Sequence, residues 1–595
     1  MAPHRTLDDL VRGWRGWALL ALLAAGSVAL AGTAVAQKSV TVDEFQALPH
    51  GLAIWKTGDF HLATGVPVLP SLLPALPLLA SSARFDPQPM AGYVSSWQCG
   101  DQFLRENLES YHPLFLQGRM ISLAVLLVTC LLTYALARRM YGATGGLLAA
   151  VFACLSPNLL AHGALVTPDI YLAAAIVAAL FAFDLLFNRP GWPAAVALGC
   201  ALGLASLSKL TGLLLFAIFP ALLACFHFAD RAAWRRAGQP GKSAPPALAN
   251  LDWSKRWLAA ALAMATGLVL IHVGYLFDGS FSRLDQFQFE STGMATVAEM
   301  LPGWLRVPLP YPFFKGIDAQ LAEEGYVAYL NGEFNETGFF HYYLVGLLVK
   351  TPLCVPVLAV VAWWGRRGLT RSEVALVATG GLLLLFFSLS KHKNIGLRYV
   401  LFLEPLLAIW IGRLGTRIAM LELPGTQTAA MARDKTARRA AIRLTAAKRD
   451  LALAAAAAGW MLFTAVSAWP HYLAYFNRAS GGPTSGHKYL LDSNLDWGQD
   501  LIELRRFMER EGIDSIDLAY FGRVPPEVYG VSYRMLGAGP PARYAAISAN
   551  LLWGRMYFVN GTSYWPEDKD TYAAYRRLKP KAVLGHSIYV FELAP

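Results

Sequence analysis

The sequence predicts a mainly α-helical membrane protein, a polytopic bundle of about eleven transmembrane helices followed by a C-terminal extracytoplasmic α/β domain. Of the 595 residues, 55% are hydrophobic and 15% are charged, whereas soluble domains carry about 25% charged residues. Apolar stretches recur at close to the roughly 20 residues that a helix needs to cross a bilayer. From about residue 470 onward this character is lost, and the pattern becomes that of a soluble domain.

The apolar segments predict the spans one by one. The first follows Arg5, Arg12 and Arg15 and ends in Ala34-Val35-Ala36, which resembles a signal-peptide cleavage site. We favour an uncleaved helix because it tethers the acidic residues that follow it. Only Lys209 separates the fifth and sixth segments, so a helical hairpin and one broken element are both open. The eleven segments are 16–36, 117–137, 144–162, 168–187, 193–208, 210–228, 257–277, 341–364, 372–389, 397–415 and 451–469.

Basic residues predict the orientation. With a cytoplasmic N-terminus, four inside loops carry most of the Lys and Arg residues, as membrane proteins generally do. The loop 278–340 instead holds nine acidic residues against three basic ones. We therefore expect a membrane module, 1–469, with outer loops 37–116 and 278–340, and a soluble extracytoplasmic domain, 470–595. We expect the inner membrane of a bacterium, with the tail periplasmic or extracellular, and in a eukaryote the tail would be luminal. The inside residues are Arg138, Arg139, Arg231, Arg235, Arg236, Lys242, Lys255, Arg256, Arg366, Arg367, Arg371, Arg417, Arg433, Lys435, Arg438, Arg439, Arg443, Lys448 and Arg449.

Several function classes receive no support from the sequence. The net charge of +11 is explained by loop topology, so nucleic acid is not an expected partner. The six cysteines show neither a disulfide framework nor metal-ligand spacing. Phosphate-binding loop, dinucleotide-binding and zinc signatures are not found. Nucleotide hydrolysis is therefore not the expected energy source.

The extramembrane segments carry their own patterns. Val66–Ala80 is a Pro- and Leu-rich apolar run too short to span, and it predicts a helix lying on the outer leaflet. In the tail, Leu501–Gly512 and Asp568–Leu578 predict amphipathic helices. The strands are expected at Ser515–Phe521, Tyr544–Ser548 and Ala582–Leu593.

Acidic residues at the outer surface are the first candidates for chemistry. Asp43 and Glu44 follow the first span and point about 100° apart on a helix, so they need not share one role. Asp169 follows Pro168 in a very short outer loop, from which it can approach Asp43 across the bundle. The alternatives are a solvated pair at a helix end and an ordinary helix N-terminus at Asp169.

A basic cluster is the second candidate. Lys391, Lys393 and Arg398 lie in an outer loop, where the topology does not call for basic residues. Lys and Arg side chains at a lipid surface suit a phosphate group, although attraction to anionic headgroups is the alternative. Lys209 and Lys350, beside apolar segments, are weaker members of this set.

Together these residues suit a reaction on a lipid-linked phosphate. The leaving phosphate needs cations, and the attacking hydroxyl needs a base, for which Asp43 is the candidate. A sugar transferase is the leading hypothesis. A membrane transporter and a non-catalytic scaffold presenting the tail are the alternatives, and loss of turnover on mutation of Asp43 would separate them.

Motifs along nearly the whole chain carry a family resemblance. The chain resembles the phospholipid-carrier-dependent glycosyltransferases of superfamily C, the protein O-mannosyltransferase-like (aminoarabinose-transferase-like) family. The motifs are Val42-Asp43-Glu44, Ser156-Pro157-Asn158-Leu159-Leu160-Ala161-His162 with Thr167-Pro168-Asp169, Ser206-Leu207-Ser208-Lys209, Val349-Lys350-Thr351-Pro352, Asn394-Ile395-Gly396-Leu397-Arg398-Tyr399, Tyr472-Leu473-Ala474-Tyr475-Phe476-Asn477 and Asp492-Ser493-Asn494-Leu495-Asp496-Trp497-Gly498-Gln499-Asp500.

The resemblance implies an inverting hexosyl- or pentosyltransferase of the cell envelope. Its donor would be a polyprenyl-phosphate sugar, its acceptor an extracytoplasmic protein, lipid or glycan, and its catalytic acidic residue Asp43. No cofactor is implied with certainty, and the acidic pair could act with or without a divalent cation. One departure concerns the family's His-Pro-Pro-Leu, since Val66-Pro67-Val68-Leu69 stands in its place and His112-Pro113-Leu114 lies much further along.

The final motif allows two interpretations. Asp496, Trp497, Gln499 and Asp500 could bind a sugar through ring stacking and hydroxyl hydrogen bonds. They could equally form a buried turn that holds the tail on the bundle, and we favour this structural interpretation.

Overall fold

Helices dominate the part of the chain that the computed structural model describes. This part is residues 6–593 without 62–64, 67, 88–94, 238–251, 324, 365–367, 391–392, 422–434, 555–558 and 562–567. The predicted features Lys242, Arg366, Arg367, Lys391 and Arg433 lie outside the described residues.

Each of the eleven predicted segments falls on helix, so the prediction of a polytopic helical membrane protein is confirmed. Seven described helices are individually long and apolar enough to cross a membrane, and a bent pair adds an eighth if counted as one span. The seven are Trp14–Val35, Tyr111–Cys154, Pro168–Asn188, Leu210–Arg235, Trp253–Gly274, Arg371–Ser390 and Leu444–Ala468.

Breaks within helices explain why eleven segments give seven or eight spans by length. The helix Tyr111–Cys154 contains the predicted segment 117–137 and most of 144–162, whose last part forms the helix Pro157–His162. Gly142 between the two segments has a φ of 84° that suits glycine. The helices Tyr342–Lys350 and Cys354–Trp363 meet at 108°. The predicted span 397–415 is divided into short helical pieces at Leu397–Val400, Leu403–Gly412 and Gly415–Ile418.

The fifth and sixth segments form a hairpin. The helix Trp192–Ser208 ends at Lys209, which is extended, and the chain turns back through Leu210–Leu213 into the helix Leu214–Ala237. Gly212 packs so closely on the backbone of Ala205 that a Cβ atom there would lie 2.3 Å from it.

Further helices are shorter or lie outside the spans. The run at 66–80 is helical at Leu69–Ala75 and Leu76–Ala80, and its place on the outer leaflet stays a prediction. The others are Leu7–Arg12, Val42–Thr57, Ser96–Glu106, Pro157–His162, Thr292–Glu299, Tyr311–Ala322, Leu501–Glu511 and Ala549–Leu552, and the last span belongs to the longer helix Lys435–Ala468.

The tail holds a five-stranded mixed sheet, which confirms its α/β character. In the order β4-β3-β5-β7-β6, the first three strands are parallel and β7 is antiparallel to both its neighbours. The apolar face of the helix Leu501–Glu511 packs on this sheet. A separate hairpin joins β1 and β2. The strands are β1 Ala328–Leu330, β2 Glu333–Asn335, β3 Ile516–Ala519, β4 Tyr533–Met535, β5 Tyr544–Ser548, β6 Ala582–Leu584 and β7 Ile588–Glu592.

Two predictions in the tail are wrong. The helix expected at 568–578 is one short 3₁₀ turn, Ala573–Arg577, because Arg576 binds the carbonyls of Leu552 and Lys569 and fixes another path. The single strand expected at 582–593 is a hairpin, in which Gly585 and His586 have positive φ.

The main hydrophobic core joins the bundle to the tail. It contains Ile176 and Leu180 from a central span together with Trp497 and Ile547 from the tail. The division of the chain into two units at residues 469 and 470 stays a prediction.

Candidate active site

Asp43 lies in the first turn of the helix Val42–Thr57, close to where the first span ends. Its side chain is 30% exposed. Arg398 forms an ion pair with Asp43, in which Nη1 lies 2.9 Å from Oδ2. Asp43 is thus an accessible carboxylate that is fixed by one cation.

Arg398 brings the two predicted outer acids together. The same Nη1 lies 3.4 Å from Oδ2 of Asp169, whose other oxygen accepts from Lys209 Nζ at 2.8 Å. Asp169 is fully buried, whereas Asp43 reaches solvent. Two carboxylates and two cations therefore form one cluster, Asp43–Arg398–Asp169–Lys209, with a formal charge of zero.

Aromatic rings line this cluster. The Arg398 guanidinium lies 4.4 Å from the ring centre of Trp497 and 4.9 Å from that of Tyr399, and Lys209 Nζ is 4.0 Å from the Tyr399 ring centre. Cations over such rings gain about 0.5–2 kcal/mol. The rings hold both cations in place while leaving their remaining N–H groups for an anion.

Lys393 lies at the edge of the cluster. It pairs with Glu323 of the outer loop, and its ammonium lies 5.4 Å from the ring centre of Tyr326. Tyr326 in turn donates to Glu323 at 2.6 Å. Lys391, which is predicted to bind the donor phosphate together with Lys393, lies outside the described residues.

Glu44 has an environment unlike that of Asp43. It is fully buried and paired with Arg119, with contacts of 2.6 and 2.9 Å. Its oxygens also accept from the backbone N–H groups of Thr41 and Val166. Burial acts to raise the pKa of Glu44, but Arg119 and these N–H groups outweigh it and hold the pKa below its usual value. The predicted catalytic role of Glu44 is not tested by these contacts, which fix the helix start.

The final motif holds the segment that leads to Asp43. The N–H of Ser39 donates to the carbonyl of Gln499 at 2.9 Å, and the N–H of Val42 donates to that of Trp497 at 3.1 Å. Lys38 donates to Asp500 at 2.6 Å. Gly585 in the tail hairpin lies against Asp500, where a Cβ atom would come within 2.2 Å of the carboxyl group.

The same motif holds the segment that carries Arg398. Asn494 accepts from the N–H of Leu397 at 2.9 Å, and Ser493 donates to the carbonyl of Ile395 at 2.9 Å. Lys350 ties the motif to the bundle by donating to the carbonyls of Leu473 and Asn494.

The motif's own polar side chains are buried and engaged. Asp496 accepts from the N–H groups of Gly498 and Asn550, and Gln499 contacts the N–H of Trp497 and the carboxylate of Asp500. Burial raises the pKa of Asp496 to about 8. These contacts are those that the structural interpretation expects.

Sequence reasoning did not single out several residues here. Arg119, the partner of Glu44, was signalled only as a lone charge at the start of an apolar segment. Glu323 and Tyr326 belong to a long outer loop whose path the sequence does not define. His162 is buried, and its ring stands edge-on to Trp497 at 6.2 Å. His112 lies apart from the cluster, near the carbonyl of Ala36.

In the described part of the chain, no group of three or more His, Cys, Asp and Glu side chains is placed to hold a metal ion. Among the described residues, the cationic side chains of this site are Lys209, Lys393 and Arg398.

Comparisons with known proteins agree with the resemblance in the motifs. A family model described as dolichyl-phosphate-mannose-protein mannosyltransferase matches residues 114–243. No curated protein matches the chain. The fold and this match define a multi-pass membrane protein that resembles glycosyltransferases using polyprenyl-phosphate sugars.

Solved structures of ArnT and AglB are among those that match this chain. ArnT from Cupriavidus metallidurans in the apo state has 15% identity over 97% of this chain and 98% of its own, with a TM-score of 0.45. The same protein bound to undecaprenyl phosphate gives 16% identity, the same coverage and a TM-score of 0.44. The oligosaccharyltransferase AglB from Archaeoglobus fulgidus, with an inhibitory peptide and dolichol-phosphate, gives 15% identity over 75% of this chain and 56% of its own, with a TM-score of 0.40.

Proposed function

We propose that the protein transfers a sugar from a polyprenyl-phosphate donor to an acceptor on the outer side of the membrane, with inversion at the sugar carbon. The observation that carries the proposal is the cluster Asp43–Arg398–Asp169–Lys209. It places an accessible carboxylate, suited to accept a proton, directly on a cation suited to hold a phosphate.

Each group of the cluster has its own role in the reaction. The acceptor hydroxyl attacks the sugar carbon from the face opposite the phosphate, and Asp43 takes its proton. The bond from that carbon to the phosphate oxygen breaks, and the electron pair stays on the polyprenyl phosphate. Arg398, Lys209 and Lys393 stabilise the charge that grows there.

Binding of the donor phosphate would also change the ion pairs of the site. Arg398 is held by Asp43, and Lys393 is held by Glu323. A phosphate entering from the exposed side of Asp43 competes for both cations. When Arg398 turns to the phosphate, Asp43 loses its counter-ion and becomes free to take a proton.

Donor binding tests this proposal. The purified protein in lipid nanodiscs is titrated with undecaprenyl phosphate, and the Arg398→Gln variant is compared with Arg478→Gln, an exposed arginine outside the cluster. Hydrogen bonds to charged groups contribute about 1.5–3 kcal/mol, so Arg398→Gln is expected to weaken binding by about tenfold or more. Lys393→Ala is expected to weaken it less.

Thermal unfolding of each variant serves as the control for folding, and Arg398→Lys keeps the charge if the Gln variant is unstable. If the wild type and folded Arg398 variants bind undecaprenyl phosphate with equal affinity, the basic residues are better interpreted as contacts to lipid headgroups.

The site faces outward under the proposed topology, in which the inside loops carry the basic residues. A reporter that is active only in the cytoplasm is expected to stay silent when fused after Pro595. An active reporter would place the cluster and the tail on the cytoplasmic side.

A further inference from the structure

The outer loop that follows the span Trp253–Gly274 exposes an apolar surface. Met300 is 78% exposed, Leu276 71% and Trp304 69%. We call this surface the outer-loop patch, and its residues are Leu276, Phe277, Phe281, Val297, Met300, Leu301, Trp304 and Leu305.

The patch continues the exposed side of the span. Val269 and Val273 stand one turn apart near the end of that helix and are about half exposed. Two residues after the helix ends, the chain reaches Leu276 and Phe277. The N–H of Phe277 returns to the carbonyl of His272, and the ring of Phe277 stacks on that of His272. The patch therefore begins directly at the C-terminal end of the span.

The loop is folded, and it holds these side chains outward. Backbone N–H groups of Leu284 and Asp285 donate to the carbonyls of Leu305 and Gly303, which fixes Trp304 beside the start of the loop. The loop has its own buried cluster, Leu284, Phe287 and Val307. Since these other residues form the hydrophobic core of the loop, the exposed patch is not a part of that core.

The charges beside the patch are mixed. Arg306 is exposed and donates to the carbonyl of Phe281, Arg283 is paired with Asp285, and the exposed Glu299 precedes Met300. The long apolar stem of an Arg side chain can lie on apolar surface while its charged head stays in water. Tryptophan is enriched where protein meets the membrane interface.

We propose that the outer-loop patch inserts into the lipid leaflet on the side of the candidate active site. Continuity with the exposed side of the span, together with the exposed Trp304, favours lipid over a protein partner as its occupant. The loop then passes through the helix Tyr311–Ala322 to Glu323, which holds Lys393. Lipid would thus anchor the part of the loop that covers the cation cluster.

Nitroxide labels test the insertion in the full-length protein reconstituted in liposomes. Native cysteines are replaced, and single cysteines are introduced by Met300→Cys and Trp304→Cys, with Glu333→Cys in the exposed β1–β2 hairpin as the matched control. Collision with oxygen, which partitions into lipid, is compared with collision with a water-soluble nickel complex.

At positions 300 and 304 we expect oxygen to relax the label more than nickel does, with the opposite order at position 333. Equal access of nickel at all three positions would mean that the patch faces water. Protection from both reagents would mean that protein covers it. Either result overturns the proposal. Elution and thermal unfolding of each variant confirm that it is folded.

Discussion

Asp43→Asn separates proton transfer from donor binding. Asparagine keeps the shape of the side chain and removes its charge and basicity. The side chain is 30% exposed, so no buried cavity is created, and Arg398 keeps its contact with Asp169 at 3.4 Å. The variant is therefore expected to fold with normal yield.

The substitution Asp43→Asn is expected to change kcat and the KM for donor differently. General base catalysis contributes about 10²–10⁴-fold, so kcat should fall by that factor, which corresponds to roughly 3–5 kcal/mol. Two unit charges 4 Å apart attract by about 4 kcal/mol at an effective dielectric constant of 20. Since the donor phosphate must compete with Asp43 for Arg398, removing the Asp43 charge should leave the KM for donor equal or lower.

The assay follows the release of free polyprenyl phosphate from radiolabelled donors in proteoliposomes supplied with a membrane extract as acceptor source. Asp59→Asn is the matched control, because Asp59 follows the same helix and is 33% exposed. Near-normal kcat in Asp43→Asn, or a kcat loss equal to that in Asp59→Asn, would refute the assignment of Asp43 as the base.

Three further predictions concern the groups around the cluster. Glu44→Gln leaves Arg119 buried without its charged partner, a change that costs about 3–5 kcal/mol. The unfolding temperature in detergent should therefore fall by several degrees. An unchanged unfolding temperature would show that the Glu44–Arg119 ion pair does not stabilise the fold. Trp497→Ala should weaken binding of undecaprenyl phosphate by roughly 2–30-fold through loss of the cation–π contact with Arg398, and Trp497→Phe should recover part of the loss; equal affinity in the two variants would contradict this. Because burial raises the pKa of Asp496 to about 8, the folded state keeps a proton that the unfolded state releases, so stability should decline as pH rises from about 4 to about 8. The unfolding temperature of Asp496→Asn should change less over this range, and parallel curves for the two proteins would argue against the raised pKa.

Apolar runs allowed the bundle to be predicted, because length and composition alone decide whether a helix can cross a bilayer. Breaks were harder to predict. Gly142 interrupts a helix only because its backbone adopts a positive φ, and the turn at Gly585 and His586 lies inside a run that is otherwise typical of one strand. Both breaks have glycine as their local signal.

The candidate site was predicted in its parts but not in its contacts. The predicted topology placed Asp43, Asp169 and Arg398 at the same face of the membrane, and the structure brings the three side chains together. The sequence predicted that Asp43 and Glu44 need not share one role, and the distant Arg119 is what distinguishes the buried Glu44 from the exposed Asp43. Glu323 comes from a loop whose path depends on tertiary packing, so no local pattern could place it on Lys393.

The central claim is that this chain transfers a sugar outside the membrane through Asp43. Mass spectrometry of glycoproteins and glycolipids, from cells with the gene, without it and with the Asp43→Asn form, tests this most directly. We predict that one class of sugar-bearing molecule disappears without the gene, returns with the wild-type protein and stays absent with Asp43→Asn at equal protein level. An unchanged set of glycans in all three, or full recovery by Asp43→Asn, would contradict the account.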